Sequence, residues 1–394
     1  MSSSFICGLC RTERILALIL ALAAPGSAWA GSLTYSATDL GTLGGDESVG
    51  LSINDTGQVT GNSYHPSLAF LYTNGTMKDL GTLGGAYSYG VGLNSQGQVT
   101  GNAYTIDSYH AFLYANGAMQ DLGTLGGSNS GGTDINDNGQ IVGYSALATT
   151  DANGNQFQRA FLDTNGVMKD LGTLGGSSSF GYGINNAGQI VGNATLFGDQ
   201  SGHAFLYQNG VMQDLGTLGG SSSFGYGINA GGAVVGTSNI SGNQLRHAFL
   251  DTNGVMQDLG TLVGDSTSAG SGLNDIGQVV GASSAANGTN RGFILSDGVM
   301  TDLNSLLDSA SVTKGWSIKY ATAINNSGQI TGYGTVNGQG HAFLLTPDAQ
   351  DGGTGGTGGI VTPLPSTALV GLLFLSGIGL VRIVRRPKAA PANA

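Results

Sequence analysis

The feature that most constrains this chain is a sequence unit that recurs seven times along most of its 394 residues. One copy reads Asp-Leu-Gly-Thr-Leu-Gly-Gly at 170–176, Ile-Asn-x-x-Gly-Gln at 184–189, His-Ala-Phe-Leu at 203–206 and Asn-Gly at 209–210. The opening Asp-Leu step returns after 40, 42, 49, 44, 44 and 44 residues. A repeat of this length indicates similar structural units that each pack on their neighbours. The seven Asp-Leu steps begin at Asp39, Asp79, Asp121, Asp170, Asp214, Asp258 and Asp302.

Each unit predicts four short strands, named a to d, which in this copy cover 180–185, 189–193, 203–207 and 211–218. Strands b, c and d carry β-branched or aromatic residues in alternation, whereas strand a is small and Gly-rich. Asn-x-x-Gly between a and b is turn chemistry. Asn-Gly or Asp-Gly between c and d predicts a tight hairpin, because both residues must take positive φ. These steps begin at Asn74, Asn116, Asn165, Asn209, Asn253 and Asp297.

The last copy is incomplete, and the start of the repeat region carries the piece that it lacks. After Phe343 the chain reads Leu-Leu-Thr-Pro at 344–347, and a proline cannot continue a strand ladder. A lone d-type segment lies at 33–43. We therefore predict an all-β, seven-bladed β-propeller of four-stranded blades, closed 3+1 by the N-terminal strand. The rival is an open β-solenoid, which would not explain the split unit.

Residues 1–30 have the pattern of a secretory signal peptide with a short apolar helix. Arg11 and Arg14 precede an apolar run at 15–24, and Ala28 and Ala30 form the predicted cleavage site. The Cys-x-x-Cys at 7–10 lies inside this segment. The mature chain is therefore expected to contain no cysteine.

The C-terminal region predicts a tether. Residues 349–362 form a Gly/Thr-rich linker, 363–388 hold an apolar run followed by a basic cluster, and 389–394 are a short tail. With its flanks the apolar run at 368–381 just reaches the length of a transmembrane helix. The positive-inside rule places the basic end in the cytoplasm and the repeats, at 31–348, outside.

The charge of the exported part narrows its partners. Between the signal peptide and the apolar run there are seven basic and 23 acidic residues, a net charge near −16. Nucleic acids and anionic membrane surfaces are polyanions and would be repelled. We therefore expect no nucleic-acid partner.

The titratable residues repeat once per unit, which argues against a catalytic or metal centre. Zinc needs three or four converging ligands, and acid–base catalysis by carboxylates needs two of them about 5–10 Å apart. Equivalent positions on different blades are spread around a ring, so we expect the histidines to pack, the Asp-Leu-Gly aspartates to cap turns, and Arg159 to make hydrogen bonds in the histidine position. The segment 151–155 resembles a calcium loop but lacks the downstream glutamate. No catalytic residue, metal or cofactor is predicted. The histidines are His110, His203, His247 and His341.

Loop length varies only in the loops that are expected on one face of the propeller. The spacing from Ala-Phe to the next Asp-Leu is constant, whereas the b–c loops and the last d–a loop vary. In an up-and-down blade these two loop types emerge on one face, where repeat proteins usually bind partners. Aromatic and acidic residues there could bind sugars; alternatively, the loops only solvate the rim. The candidates are Tyr64, His65, Tyr104, Asp107, Phe157, Phe197, Asp199 and Trp316, with the segment 305–316.

Two resemblances to known families follow from these motifs. The unit Asp-Leu-Gly-Thr-Leu-Gly-Gly … Ile-Asn-x-x-Gly-Gln … His-Ala-Phe-Leu resembles the HAF-type extracellular repeat of bacteria, which has no general activity assigned. The C-terminus resembles a PEP-CTERM sorting signal, which implies processing by an exosortase, although Leu364 replaces the usual glutamate. The matching residues are Pro363, Leu364, Pro365, Arg382, Arg385 and Arg386.

These observations lead to three functional hypotheses. The first is a non-catalytic surface or matrix protein, whose propeller binds exopolysaccharide or a surface protein. The second is an extracellular polysaccharide hydrolase or lyase, and the third is a purely structural matrix component. In each case we expect export through the inner membrane of a Gram-negative-type bacterium, anchoring by the C-terminal helix, and release to the cell surface or medium.

The sorting hypothesis predicts the mass of the mature protein. Signal cleavage after Ala30 and exosortase processing near Pro363 should give a polypeptide that begins at Gly31 and lacks the Arg cluster. Intact-mass spectrometry of the protein from each cell fraction measures both ends. A polypeptide in the inner membrane that still ends at Ala394 would contradict the sorting hypothesis.

Overall fold

The computed structural model describes residues 33–348. The predicted signal peptide (1–30), linker (349–362), sorting segment (363–388) and tail (389–394) lie outside this range. Within it the chain forms seven four-stranded antiparallel sheets, and the innermost strand of each sheet contacts the innermost strands of both neighbours. The seven-bladed propeller is therefore confirmed. Residues 33–348 include no helix long and apolar enough to cross a membrane.

The strands run from the innermost to the outermost position in chain order in the first six blades. Blade 1 consists of β2 (Glu47–Ile53), β3 (Val59–Tyr64), β4 (Leu68–Thr73) and β5 (Thr76–Asp79). Blade 2 consists of β6 (Ser88–Leu93), β7 (Val99–Tyr104), β8 (Tyr109–Ala115) and β9 (Ala118–Asp121). Blade 3 consists of β10 (Gly126–Ile135), β11 (Ile141–Thr150), β12 (Gln156–Thr164) and β13 (Val167–Asp170).

Blades 4 to 6 follow the same order. Blade 4 consists of β14 (Gly175–Ile184), β15 (Ile190–Leu196), β16 (Gly202–Gln208) and β17 (Val211–Asp214). Blade 5 consists of β18 (Gly219–Ile228), β19 (Val234–Ile240), β20 (Arg246–Thr252) and β21 (Val255–Asp258). Blade 6 consists of β22 (Thr267–Leu273), β23 (Val279–Ser284), β24 (Asn290–Ser296) and β25 (Val299–Asp302).

Blade 7 combines the two ends of the repeat region. Its inner strands are β26 (Ser317–Ile324), β27 (Ile330–Val336) and β28 (Gln339–Pro347), and its outer strand is β1 (Tyr35–Asp39). Tyr35 lies opposite Pro347 and Asp39 opposite Phe343 in an antiparallel register. The predicted 3+1 closure by the N-terminal strand is thus confirmed.

The segment between blades 6 and 7 holds the closing strand in place. A 3-10 helix (Leu303–Leu306) and helix α1 (Ser309–Thr313) lie along the free edge of β1. The backbone N–H of Asp308 donates to the carbonyl of Tyr35 at 2.9 Å, and the N–H of Ala37 donates to Ser311 Oγ at 2.8 Å. The predicted binding segment 305–316 thus supplies hydrogen-bond partners to the edge of β1, and residues 312–315 within it are exposed.

Strand d is shorter than predicted. β17 ends at Asp214 rather than at 218, and β1 ends at Asp39 rather than at 43. In both strands the aspartate accepts a hydrogen bond from the N–H of the glycine two residues later, and that glycine has positive φ (72° at Gly216 and at Gly41). The chain therefore turns out of the sheet at the Asp-Leu-Gly step.

The c–d hairpins have the predicted backbone. Asn209 and Gly210 have φ of 51° and 81°, and the equivalent residues of the other five hairpins also have positive φ. This is the conformation of a type I′ turn, whose twist matches that of the two strands it joins.

The hydrophobic core lies between the blades. The phenylalanine of each His-Ala-Phe motif, or of its variant, is completely buried, as Phe205 and Phe343 illustrate. Phe205 of blade 4 packs in one cluster with Ala160 and Val142 of blade 3, and the pattern of alanine against the next blade's phenylalanine recurs at five further junctions. Each blade therefore buries its apolar face only when both neighbours are present.

A ring of asparagine side chains links the blades near the a–b turns. Asn185 illustrates the arrangement: its Oδ1 accepts from the N–H of Ala187 and Gln189 at 3.1 and 3.0 Å, and its Nδ2 donates to the carbonyl of Asn229 in the next blade at 3.0 Å. Seven such inter-blade bonds of 3.0–3.2 Å form a closed circle. Its members are Asn54, Asn94, Asn136, Asn185, Asn229, Asn274 and Asn325.

The asparagine ring predicts a large loss of stability when one member is removed. Asn185→Ala leaves two backbone N–H groups and one carbonyl without their partner, so the free energy of unfolding should fall by about 2–3 kcal/mol. Urea denaturation of the purified protein measures this change. The control is Gln213→Ala, an exposed amide on β17. Equal unfolding midpoints for both variants would contradict a structural role for the ring.

Candidate functional site

The b–c and d–a loops lie on one face of the propeller, as predicted, and we call this the loop face. Side chains of one loop type bind the other type directly. His65 Nδ1 lies 2.6 Å from Asp46 Oδ1, and this hydrogen bond lowers the pKa of Asp46. Asp199 Oδ1 accepts from the N–H of Ser177 at 2.6 Å, which lowers the pKa of Asp199.

The predicted binding residues on the loop face do not form a single cluster. Phe197 is 92% exposed and Asp107 is also exposed. Phe157 is half-buried, with the guanidinium of Arg159 over its ring at 5.9 Å from the centroid. Burial raises the pKa of Tyr64. The structure thus places most of these residues on the predicted face, but at separate points around it.

Trp316 is the exception, because its side chain is buried and does not lie on the surface of the loop face. Its indole is only 7% exposed and packs edge-on against the ring of Phe343, with 6.3 Å between the centroids. It belongs to the cluster that joins β1, the 303–316 segment and blade 7. The expectation that Trp316 contributes to the loop face was therefore wrong.

Tyr104 belongs to a row of aromatic rings that runs inward from the loop face, here called the aromatic row. Its ring lies 5.6 Å from Tyr87, nearly perpendicular to it, and 5.8 Å from Tyr109. Farther in, Tyr144 lies 5.6 Å from Phe180 of the next blade. Burial raises the pKa of Tyr144, and the neighbouring Tyr109 adds to this rise. The row therefore spans blades 2 to 4.

Four of the five residues in the aromatic row were missed from the sequence. Of these four, only Phe180 lies on strand a, which we treated as uniformly small and Gly-rich. At the position five residues before the ring asparagine, however, four copies carry an aromatic residue. Comparing the copies position by position would have shown this variation. The residues at this position are Val49, Tyr89, Gly131, Phe180, Phe224, Ala269 and Tyr320.

A cavity of about 730 Å³ lies at the opposite end of the central channel, among the a–b turns, and we call it the channel cavity. Its wall combines apolar side chains such as Leu51 and Ile184 with the ring asparagines and with Tyr182 and Tyr226, whose centroids are 5.5 Å apart. A space of this size accommodates a small organic molecule.

Asp134 is an acid in the wall of the channel cavity. Its Oδ2 accepts from the N–H of Ile184 in the next blade and its Oδ1 from the N–H of Ile135, both at 2.9 Å. Burial raises the pKa of Asp134 to about 7, although these two hydrogen bonds act in the opposite direction.

The repeated histidines pair with the repeated aspartates within each blade. His203 Nδ1 lies 2.9 Å from Asp214 Oδ1, and the same contact joins His341 to Asp39 across the closure. Arg159, in the histidine position, lies 3.8 Å from Asp170 and also donates to the carbonyl of Ser177. The expected packing and capping roles of these residues are therefore confirmed.

The segment 151–155 forms a self-contained turn. Asp151 Oδ1 accepts from the N–H of Asn153 and Asn155 at 2.8 and 2.9 Å, and Oδ2 accepts from the Asn155 amide at 3.0 Å. The side chain of Asn155 contributes most to the lowered pKa of Asp151. Within residues 33–348 no group of three or more His, Cys, Asp or Glu side chains is arranged to hold a metal ion.

Comparisons with known proteins show only distant similarity. The chain matches no protein-family model, and comparison with curated proteins gave no match. Among solved structures it is similar to the β-propeller domain of the Trilobed protease from Pyrococcus furiosus, which has an open velcro topology (10% identity, 64% of this chain, 80% of that one, TM-score 0.49).

Two further solved structures match this chain with similarly low sequence identities and TM-scores. TolB from Acinetobacter baumannii has 13% identity over 78% of this chain and 65% of that one, with a TM-score of 0.42. A gluconolactonase from Xanthomonas campestris has 10% identity over 80% and 90%, with a TM-score of 0.39. With every TM-score below 0.5, these likenesses carry no argument about activity.

The position of Trp316 predicts its fluorescence. It is the one tryptophan of the chain outside the predicted signal peptide. Its emission should be blue-shifted from that of free tryptophan and weakly quenched by iodide, because the indole is buried. Deleting residues 33–40 should expose it and restore quenching, whereas Phe197→Ala should leave it unchanged. Strong iodide quenching of the intact protein would contradict this packing.

Proposed function

We propose that this chain is an exported, non-catalytic binding protein whose loop face takes up uncharged polysaccharide along the aromatic row. The observation that carries the proposal is the row itself. Tyr87, Tyr104 and Tyr109 have neighbouring rings 5.6–5.8 Å apart at its outer end, and the rings of Tyr144 and Phe180 lie 5.6 Å apart farther in. Tyr87 and Tyr104 are 44% and 37% exposed at its outer end. Aromatic rings offer an apolar face for the C–H groups of sugars, and tyrosine hydroxyls can bond their hydroxyls.

The charge of the protein favours an uncharged polymer over an anionic one. The part between the signal peptide and the sorting segment has a net charge near −16. Asp46, Glu47 and Asp107 lie on or near the loop face. An acidic polysaccharide would be repelled at low ionic strength, whereas a neutral glucan would not.

The chain ends support display of the loop face. Asp348 N–H donates to the carbonyl of Thr34 at 2.9 Å, and Thr34 Oγ1 donates to Asp348 Oδ2 at 2.6 Å. Both ends of the described chain therefore meet at the c–d end of blade 7, opposite the loop face. A chain that continues beyond residue 348 therefore leaves the propeller on the face opposite the loop face.

Affinity electrophoresis tests the proposal. The purified mature protein should be retarded in gels that contain hydroxyethyl cellulose or laminarin, and not in gels that contain alginate. Replacing both Tyr87 and Tyr104 by alanine should weaken binding about tenfold, because each lost stacking contact contributes roughly 0.5–1.5 kcal/mol.

Two control variants make the result specific. Tyr104→Phe retains the ring and should bind nearly as the parent does, whereas Phe197→Ala removes an exposed ring outside the aromatic row. Retardation by alginate alone, or equal loss in Phe197→Ala and in the double variant, would contradict the proposal. Release of reducing ends from either glucan would support the hydrolase or lyase hypothesis instead.

A further inference from the structure

The channel cavity departs from the repeat symmetry along one wall. Two residues before the ring asparagine, blade 3 has Asp134, whereas every other blade has a residue without charge. Each of these others is glycine, serine or alanine. The equivalent residues are Ser52, Gly92, Gly183, Gly227, Gly272 and Ala323.

The preceding position of strand a also departs from the pattern in two neighbouring blades. Blades 4 and 5 have Tyr182 and Tyr226, and none of the other five copies is aromatic. Those five residues are Leu51, Val91, Thr133, Ser271 and Thr322. A departure from the repeat that the scaffold does not require indicates a functional position.

The three departures converge in space. Asp134 binds the N–H of Ile184, two residues beyond Tyr182 on the same strand, and Tyr182 contacts Tyr226. All three side chains line the channel cavity. Consecutive blades 3, 4 and 5 thus place one carboxylate and two aromatic rings on a single wall.

The charged residues that line the channel cavity favour a positively charged ligand. Among the described residues, its lining includes four aspartates, at 55, 134, 137 and 275, and no lysine, arginine or histidine. Anions would be repelled, and the surrounding apolar wall and two rings suit a ligand with hydrocarbon surface. Aromatic faces attract ammonium groups, most strongly where water is excluded.

We propose that the channel cavity is a binding site for an organic ammonium ion with an apolar body. Asp134 would pair with the charge, and Tyr182 and Tyr226 would contact the ammonium substituents through their faces. The about 730 Å³ volume exceeds that of an amine such as choline or cadaverine. This site lies among the a–b turns, and its Tyr182 is near enough to Tyr144, at the inner end of the aromatic row, to raise the pKa of Tyr144.

The titration of Asp134 gives the site a pH dependence. Its pKa of about 7 means that the carboxyl is mostly neutral at pH 6 and mostly ionised at pH 8. Binding of a cation should therefore strengthen roughly tenfold over that range. Burial raises the pKa of Tyr182 to about 12 and raises that of Tyr226, so both stay neutral.

The other facing carboxyls lie at the turns, at Asp55, Asp137 and Asp275. Burial works to raise the pKa of Asp137, but hydrogen bonds from Ser95 and Asn186 outweigh it and the pKa is lowered. Asp137 is therefore ionised throughout this pH range and contributes a constant charge.

Calorimetric titration of the purified mature protein tests the proposal. The probes are choline, cadaverine and phenethylamine, with 3,3-dimethylbutan-1-ol as the uncharged isostere of choline. We expect at least one amine to bind with a millimolar or lower Kd at pH 8, more weakly at pH 6, and the alcohol to bind at least tenfold more weakly. Absence of binding by all three amines at about 10 mM would overturn the proposal.

Matched variants locate the site. Asp134→Asn removes the charge and keeps one of the two oxygens that accept from the N–H groups of Ile135 and Ile184, and it should weaken binding about tenfold and abolish its pH dependence. Tyr226→Ser introduces the residue found at this position in blade 6, and should weaken binding without loss of folding. Asp107→Asn makes the same charge change on the loop face and should bind as the parent does. Parent-like binding by Asp134→Asn, or equal loss in Asp107→Asn, would overturn the assignment.

Discussion

The closed circle of asparagine hydrogen bonds is the constraint on which this structure depends. Each ring asparagine supports its own a–b turn through Oδ1 and binds the carbonyl of the next blade through Nδ2. Because Asn325 binds the carbonyl of Asn54, the seven bonds can all form only when the first and last blades meet. Buried amides left unpaired would be costly, so the circle favours closure over an open array.

Closure of the ring also determines at which positions the residue can differ between blades. The buried phenylalanines, the ring asparagines and the His–Asp pairs occupy equivalent positions in most blades, and each has a packing or hydrogen-bonding role. Side chains that differ between blades occupy the remaining positions, and among them Asp134 also accepts hydrogen bonds from two backbone N–H groups. The aromatic row and the Asp134–Tyr182–Tyr226 wall both consist of such positions, which is why the two proposed sites lie along the channel and at its ends.

The two ends of the channel differ in chemistry. The loop face offers half-exposed aromatic rings among acidic loops, whereas the lining of the channel cavity at the a–b turns is acidic and includes no basic residue among those described. The termini of the described chain meet on the side of the channel cavity.

The amino-acid sequence by itself determined the number of blades, the strand order, the c–d turns and the closing strand. These features repeat with a fixed period or depend on local chemistry, such as the Asn-Gly step and Pro347. Only the tertiary structure decided that Trp316 is buried in the cluster that joins its own segment to β1 and blade 7. It also decided that Tyr109, Tyr144 and Phe180 lie in one row with Tyr104, and that Asp134, Tyr182 and Tyr226 line the same cavity. These contacts join residues of different blades or distant segments, whose separation in space is determined by the twist and packing of whole sheets and is not encoded in the spacing of any one repeat.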